Sequence, residues 1–102
     1  MKKIINGKKY DTETAKQLGT YANYGSWRDF SHYEETLYRK KTGEYFLHGE
    51  GGPMTHYAVS EGQNSWTGGE KIIPLTEAEA RAWSENNLTC EAYESIFGEV
   101  EE

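Results

Sequence analysis

The chain has 102 residues, which is enough for one folded domain spanning residues 1–102 and too few for two. Only 35% of the residues are hydrophobic, but 14% are aromatic, which argues against disorder and indicates a core built on large aromatic side chains. The net charge is −6, and residues 51–102 hold ten glutamates against two basic residues. This acidic half suits a basic partner, or it only keeps the protein in solution.

The cellular compartment is predicted from the single cysteine and from the absence of a targeting pattern. Cys90 has no second cysteine to pair with, which points to a reducing compartment, and it is expected to be a small buried residue. The opening MKKII resembles the start of a signal peptide, but polar residues follow it at once. No apolar run is long enough to cross a bilayer, so a soluble, cytoplasmic protein is expected.

The N-terminal third predicts a hairpin followed by a helix. KIINGKKY forms the hairpin, because Asn6-Gly7 supplies the two positive-φ positions of a type I′ turn. Asp11 is predicted to cap a short helix over TETAKQL, which Gly19 would end. The segment 20–31 has no clean period and is predicted to be an aromatic-rich connection.

The middle of the chain predicts a second hairpin and a short helix. HYEETLYRK alternates, with Glu34 and Glu35 on opposite sides, and EYFLHGE returns after a turn. Pro53 would then begin a helix that places Met54, Tyr57 and Ala58 in the core, and QNSWTGG would be a loop.

The C-terminal third predicts one strand and two helices. EKIIPLT is a short strand, and Thr76 and Glu79 form a capping box that begins the helix EAEARAWSENN. Thr89 caps a last helix with an apolar stripe, made of Tyr93, Ile96, Phe97 and Val100. The predicted fold class is α+β: short antiparallel strands, from two hairpins plus one further strand, packed against several short helices, two of them C-terminal.

The stretch HGEGGPMTHY allows three interpretations. His48, Glu50 and His56 could supply three ligands to zinc, which accepts nitrogen and oxygen donors. The glycines could instead cradle a phosphate, but no lysine follows them and the loop lacks the P-loop spacing. The favoured interpretation is a strand-to-helix corner, with no metal and no cofactor.

The residues also bear on two further functions, catalysis and nucleic-acid binding. No serine lies in a G-x-S-x-G motif, and no carboxylate pair is placed for acid–base work, so no catalytic residue and no enzyme are predicted. Basic residues crowd both hairpins, where they could contact nucleic acid or only discourage strand aggregation. The acidic total charge predicts weak binding to phosphate backbones, although direct nucleic-acid binding stays open. The residues concerned are Lys2, Lys3, Lys8, Lys9, Arg39, Lys40 and Lys41.

The sequence resembles a family of small acidic proteins that phages and mobile elements of Firmicutes encode. The resemblance spans nearly the whole chain, in the blocks INGKKYDTETA, LYRKKTGEYFLHGEGG, KIIPLTEAEARAW and IFGEV. The family includes anti-CRISPR proteins that act on type II-A Cas9. The resemblance therefore implies a non-enzymatic inhibitor that works in the cytoplasm of the bacterial host cell.

The implied partner is a host defence protein, with a Cas9-type nuclease or its guide-RNA complex as the first choice and no role for a membrane. The alternative function is a nucleic-acid-binding accessory protein of a phage or mobile element. Two surfaces compete as the binding site. One is acidic and could face the cationic channel of such a nuclease: Glu91, Glu94, Glu99, Glu101 and Glu102. The other offers the aromatic and arginine anchors typical of protein interfaces: Tyr21, Tyr24, Trp27 and Arg28.

Overall fold

The computed structural model describes residues 1–23, 29–62 and 65–102. The strands of these parts, in chain order, are β1 (Lys2–Ile5), β2 (Lys8–Asp11), β3 (Lys16–Ala22), β4 (Tyr33–Arg39), β5 (Tyr45–Gly51), β6 (Val59–Ser60), β7 (Trp66–Thr67) and β8 (Gly69–Leu75). The helices are α1 (Glu77–Asn87) and α2 (Cys90–Phe97). The α+β class is confirmed, with both helices at the C-terminus. The expectation of several short helices is wrong, because the described residues form only these two.

A four-stranded antiparallel sheet is the centre of the fold. Its strand order is β3-β4-β5-β8, and two small hairpins, β1-β2 and β6-β7, form separate ladders. β8 lies at an edge, which explains why Pro74 is tolerated inside it. None of the described helices is long and apolar enough to span a membrane.

The two faces of the sheet are covered by different elements. One face packs against α1 and α2 through a cluster of Leu37, Tyr45, Leu47 and Ala80. On the other face the β1-β2 hairpin packs through Tyr10, whose ring lies edge-on to Phe46 with centroids 5.5 Å apart. Large aromatic rings thus contribute to both clusters, as the composition predicts.

Three local predictions are confirmed. The first hairpin turns at Asn6 and Gly7, whose φ angles of 52° and 77° are those of a type I′ turn. α1 begins with a capping box, in which Thr76 Oγ1 accepts a hydrogen bond from Glu79 N at 3.1 Å and Thr76 N donates to Glu79 Oε1 at 2.9 Å. Thr89 caps α2 by accepting from Ala92 N.

The helix predicted after Asp11 is wrong. Asp11 Oδ1 accepts a hydrogen bond from Glu13 N at 2.9 Å, and its carbonyl accepts from Ala15 N, so Asp11 stabilises a turn. The chain then extends as β3, which pairs with β4 from Lys16 to Ala22. Pairing with a neighbouring strand satisfies the backbone groups that a helix would have used, so the tertiary context overrides the local cap signal.

The helix predicted at Pro53 is also wrong. The segment 52–58 makes successive turns, in which Thr55 N donates to Gly52 O and Ala58 N donates to Thr55 O, each at 3.1 Å. The core position of Tyr57 is right, since its exposed fraction is 0%, but Met54 is 72% exposed. A helix would have carried both side chains toward one face, whereas turns direct them independently.

Smaller corrections concern the C-terminal half. QNSWTGG is not entirely a loop, because Trp66 and Thr67 form β7, while Gln63 and Asn64 lie outside the described residues. α2 ends at Phe97, so Val100 does not continue its apolar stripe and is 57% exposed. Cys90 is exposed at the start of α2, contrary to the expectation of a buried side chain.

Candidate functional site

One end of the sheet is assembled around glycines. β4 begins there at Tyr33, which pairs with Gly51 at the end of β5, and Gly51 pairs with Gly69 at the start of β8. A Cβ atom on Gly49 would collide with the ring of Tyr57, so a glycine is required for the 52–58 segment to lie against the sheet. The glycines of HGEGGPMTHY therefore leave room for neighbouring side chains and backbone.

Glu35 is the buried carboxylate of this end. Its Oε2 accepts a hydrogen bond from Tyr57 Oη at 2.5 Å, and its Oε1 accepts one from Trp83 Nε1 at 2.9 Å. His56 Nε2 lies 3.4 Å from the same Oε2, although the His56 side chain is 58% exposed. One carboxylate thereby joins β4, the 52–58 turns and α1, with both oxygens used.

The electrostatics of this cluster favour a structural role. Burial raises the pKa of Tyr57 far above its usual value, and the hydrogen bond to Glu35 raises it further, so the phenol stays protonated and remains a donor. Burial likewise raises the pKa of Tyr33. A general acid or base needs an atom free to reach a substrate, and the Glu35 oxygens are already occupied by Tyr57 and Trp83.

The three candidate zinc ligands are not brought together. His48 and Glu50 lie on one face of β5, whereas His56 lies beside Glu35 on the opposite face. His48 Nε2 instead lies 3.1 Å from Glu70 Oε2. Across residues 1–23, 29–62 and 65–102 no group of three His, Cys, Asp or Glu side chains is placed to hold a metal ion.

Three glutamates form a straight line across the face that carries His48. Glu34 pairs with Glu50 in the β4-β5 ladder, and Glu50 pairs with Glu70 in the β5-β8 ladder. We call Glu34, Glu50 and Glu70 the acidic row. Directly opposed residues of antiparallel strands have Cβ atoms about 5 Å apart, so these like charges repel one another. Within the described parts of the chain, neither Glu34 nor Glu50 has a basic side chain within ion-pair distance.

Three exposed apolar side chains lie at the same end of the sheet as the acidic row. Met54 N donates to Phe30 O at 2.9 Å, and the side chains of Phe30 and Met54 are 63% and 72% exposed. Trp66, in the short strand just before Gly68, is 59% exposed. We call this end, with the acidic row and these three side chains, the acidic end. Aromatic residues and methionine are enriched in protein interfaces, so these three exposed side chains are of the types found there.

The glutamates predicted from the sequence lie elsewhere. Glu91 and Glu94 are exposed on α2, and Glu99, Glu101 and Glu102 are exposed after it. Glu94 Oε2 accepts a hydrogen bond from Val100 N at 3.1 Å, which turns the chain end back toward the helix. A mostly apolar cavity of about 470 Å³ lies beside them, lined by Ser84, Glu85, Leu88, Thr89, Cys90, Tyr93, Glu94, Val100 and Glu102.

The predicted aromatic surface is described only in part. Tyr21 belongs to β3, where its ring lies 6.1 Å from that of Tyr33, so it packs on the sheet and is half-buried. Tyr24, Trp27 and Arg28 lie outside the described residues. Sequence reasoning missed the acidic row, although hairpin register alone would have paired Glu34 with Glu50. Glu70 had no local signal, because β8 reaches β5 across a long connection.

Comparisons with known proteins found no match for this chain. No protein-family model matches the chain, and no curated protein or solved structure is significantly similar to it. The site must therefore be interpreted from its own geometry.

Proposed function

We propose that this chain is a non-enzymatic inhibitor that binds a host defence nuclease, with a Cas9-type enzyme or its guide-RNA complex as the target. The observation that carries the proposal is the acidic row, at the end of the sheet that also exposes Phe30, Met54 and Trp66. Opposed carboxylates cost stability in the free protein, and that cost is relieved when a cationic surface binds them. The resemblance of the sequence to anti-CRISPR proteins supplies the kind of target.

The inhibition follows from the chemistry of the nuclease channel. Such a nuclease holds its nucleic acids in a channel lined with arginine and lysine. A row of carboxylates presents the charge of successive phosphates, so it competes for the same basic side chains and attracts them over a distance. The apolar side chains then contribute short-range contacts, since exposed aromatic residues are the usual anchors of an interface. No bond is made or broken, and occupation of the surface is sufficient.

The five C-terminal glutamates are proposed as a second, weaker contribution to encounter. They are exposed at the chain end, so their charges act mainly by steering the approach of a basic partner. A rim charge changes the association rate and its salt dependence, whereas central contacts change the dissociation rate. The two acidic sets can therefore be separated by kinetics.

The test is binding and DNA-cleavage inhibition with purified Cas9 loaded with guide RNA. The triple variant Glu34→Gln/Glu50→Gln/Glu70→Gln should weaken binding at least about tenfold and abolish most inhibition. Its matched control removes three exposed glutamates outside the acidic end: Glu13→Gln/Glu77→Gln/Glu85→Gln. The quintuple glutamine variant of Glu91, Glu94, Glu99, Glu101 and Glu102 should mainly slow association. If the wild-type chain neither binds nor inhibits the loaded nuclease, the proposed target is wrong. If control and row variants lose binding equally, the acidic row is not the site.

A further inference from the structure

Basic residues gather at the end of the sheet opposite the acidic end. β4 ends there at Arg39, β5 begins at Tyr45, and the β1-β2 hairpin lies against the turn between them. We call residues 1–16 and 39–44 the basic end. These residues hold eight of the eleven Lys and Arg side chains but only three Asp and Glu. An acidic protein thus carries one concentrated cationic surface.

Specific contacts hold the basic end together. Glu44 accepts hydrogen bonds from Lys8 Nζ at 2.9 Å and from Lys40 Nζ at 3.3 Å, so one carboxylate links the tip of the first hairpin to the β4-β5 turn. These bonds, that from Lys8 most of all, lower the pKa of Glu44, so it stays ionised. Lys40 Nζ also lies 4.3 Å from the centre of the Tyr10 ring, and its side chain is only 16% exposed. Lys40 is therefore positioned before any ligand arrives.

A small cavity opens between these two elements. Its volume is about 160 Å³, and it is lined by Lys9, Asp11, Thr14, Lys40, Lys41 and Thr42. The volume is below the usual range for a drug-sized ligand, but it is sufficient for one phosphate group. Three ammonium groups and the Thr14 hydroxyl can donate hydrogen bonds to phosphate oxygens, whereas the Thr42 hydroxyl already donates to Glu44 Oε1. Lysine is a common phosphate ligand.

We propose that this cavity binds one phosphate group of a single-stranded nucleic acid, which then follows the basic end. A single strand can bend one phosphate into a recess, whereas the regular backbone of a duplex stays on its helical path. This inference goes beyond the proposed function and does not depend on it, because it concerns other residues and another ligand.

The cavity carries no base-reading group. None of the residues that line it is aromatic, and the nearby Tyr10 is buried. Recognition then rests on phosphate, which RNA and DNA share, and affinity falls with salt and varies little with base sequence.

Asp11 is the one lining residue that opposes an anion. It is 6% exposed and it accepts a hydrogen bond from Glu13 N, which an asparagine at the same position can also do. Asp11→Asn therefore removes the charge and keeps the turn. The variant should bind a phosphate backbone about threefold or more tightly than wild type.

The test is fluorescence anisotropy of the full chain with labelled oligo-U and oligo-dT of roughly 12 nucleotides, at about 50 and 200 mM salt. Lys9→Gln/Lys41→Gln removes two lining charges, and Lys3→Gln/Lys16→Gln removes two charges from the same end outside the lining. We expect about a tenfold loss for the lining pair, with a salt slope reduced by about 0.7, and a loss below about threefold for the control pair. A melting curve for each variant establishes that it is folded.

Comparable affinity for the two oligonucleotides would support recognition by phosphate, and a preference for one above about tenfold would overturn it. Equal losses from the two lysine pairs would show a diffuse field and overturn the cavity as a site. Absence of binding at the lower salt concentration would overturn the proposal entirely. None of these outcomes involves the nuclease, so failure here is distinct from failure of the proposed function.

Discussion

Glu34 and Glu35 are neighbours on β4, yet their carboxylates are in opposite situations. Glu35 is buried against α1 and the 52–58 turns, where Tyr57 and Trp83 donate hydrogen bonds to its two oxygens. Glu34 points to the other face and lies opposite Glu50, a second carboxylate. A step of one residue along a strand exchanges a fully hydrogen-bonded carboxylate for one in a repulsive row.

The difference between Glu35 and Glu34 indicates which carboxylate supports the fold and which is free for a partner. Hydrogen bonds from Tyr57 and Trp83 offset the cost of burying the Glu35 carboxylate, and removing the carboxylate would leave these donors without an acceptor. In the acidic row Glu34 and Glu50 oppose each other without such donors, and only Glu70 lies beside a histidine, His48, so the proposed role of the row is binding. Glu35 is accordingly interpreted as structural, and the acidic row as a binding surface.

The largest expected effect is that of Tyr57→Ala. The change removes a side chain with no exposed area and one of the donors to Glu35, and it should lower the free energy of unfolding by about 3–5 kcal/mol. Urea denaturation measures the cost. Met54→Ala, in the same turn segment but 72% exposed, should cost about 0.5 kcal/mol or less. Equal costs for the two variants would contradict the packing of this segment.

Glu35→Gln is the most direct test of the difference between Glu35 and Glu34. Tyr57 and Trp83 donate to different oxygens of Glu35, and glutamine replaces one of those oxygens with an NH2 group. One donor therefore loses its acceptor, and the variant should lose about 2 kcal/mol of unfolding free energy. The same substitution one residue earlier, Glu34→Gln, should leave stability unchanged or slightly increased, as thermal melting would show. A destabilised Glu34→Gln protein would mean that Glu34 also supports the fold.

Neutralising the acidic row should have the opposite effect on stability from neutralising Glu35. Glu34→Gln/Glu50→Gln/Glu70→Gln should raise the free energy of unfolding by about 1 kcal/mol at low salt, because two opposed pairs of like charges are neutralised. The gain should shrink in about 1 M salt, where charges at this distance are screened. A variant that gains stability and loses binding would separate the two roles. A loss of stability at low salt would assign the row to the fold.

The smallest effect is expected for His56→Ala. Its ring lies 3.4 Å from Glu35, but 58% of the side chain is exposed, and the carboxylate keeps its bonds to Tyr57 and Trp83. The cost should be about 0.5 kcal/mol or less, measurable by the same urea titration. A cost comparable to that of Glu35→Gln would mean that the histidine is a principal partner of the carboxylate.

Local signals predicted those elements that local chemistry decides. Asn6-Gly7 reverses the first hairpin because few residues accept its positive φ angles, and Thr76 with Glu79 begins α1 because both partners lie within one turn. The helix expected after Asp11 failed for the opposite reason. Its backbone found partners on β4, about twenty residues away, and no cap signal measures that competition.

The candidate sites also depend partly on local patterns and partly on contacts between distant segments. Strand alternation placed Glu34 and Glu35 on opposite sides, but which of them is buried depends on α1 and the 52–58 turns, whose positions no local pattern contains. The acidic row needs the β5-β8 pairing, and the cationic cavity needs the first hairpin to meet the β4-β5 turn through Glu44.

The sequence by itself determined the class of fold, the first hairpin turn, the caps of α1 and α2 and the alternation of β4, because these depend on residues a few positions apart. The tertiary structure alone decided which carboxylate is buried, which three glutamates stand in a row and which lysines surround a cavity. Those arrangements join distant segments, and the free energy of each contact depends on burial and neighbouring charge that exist only after the chain has folded.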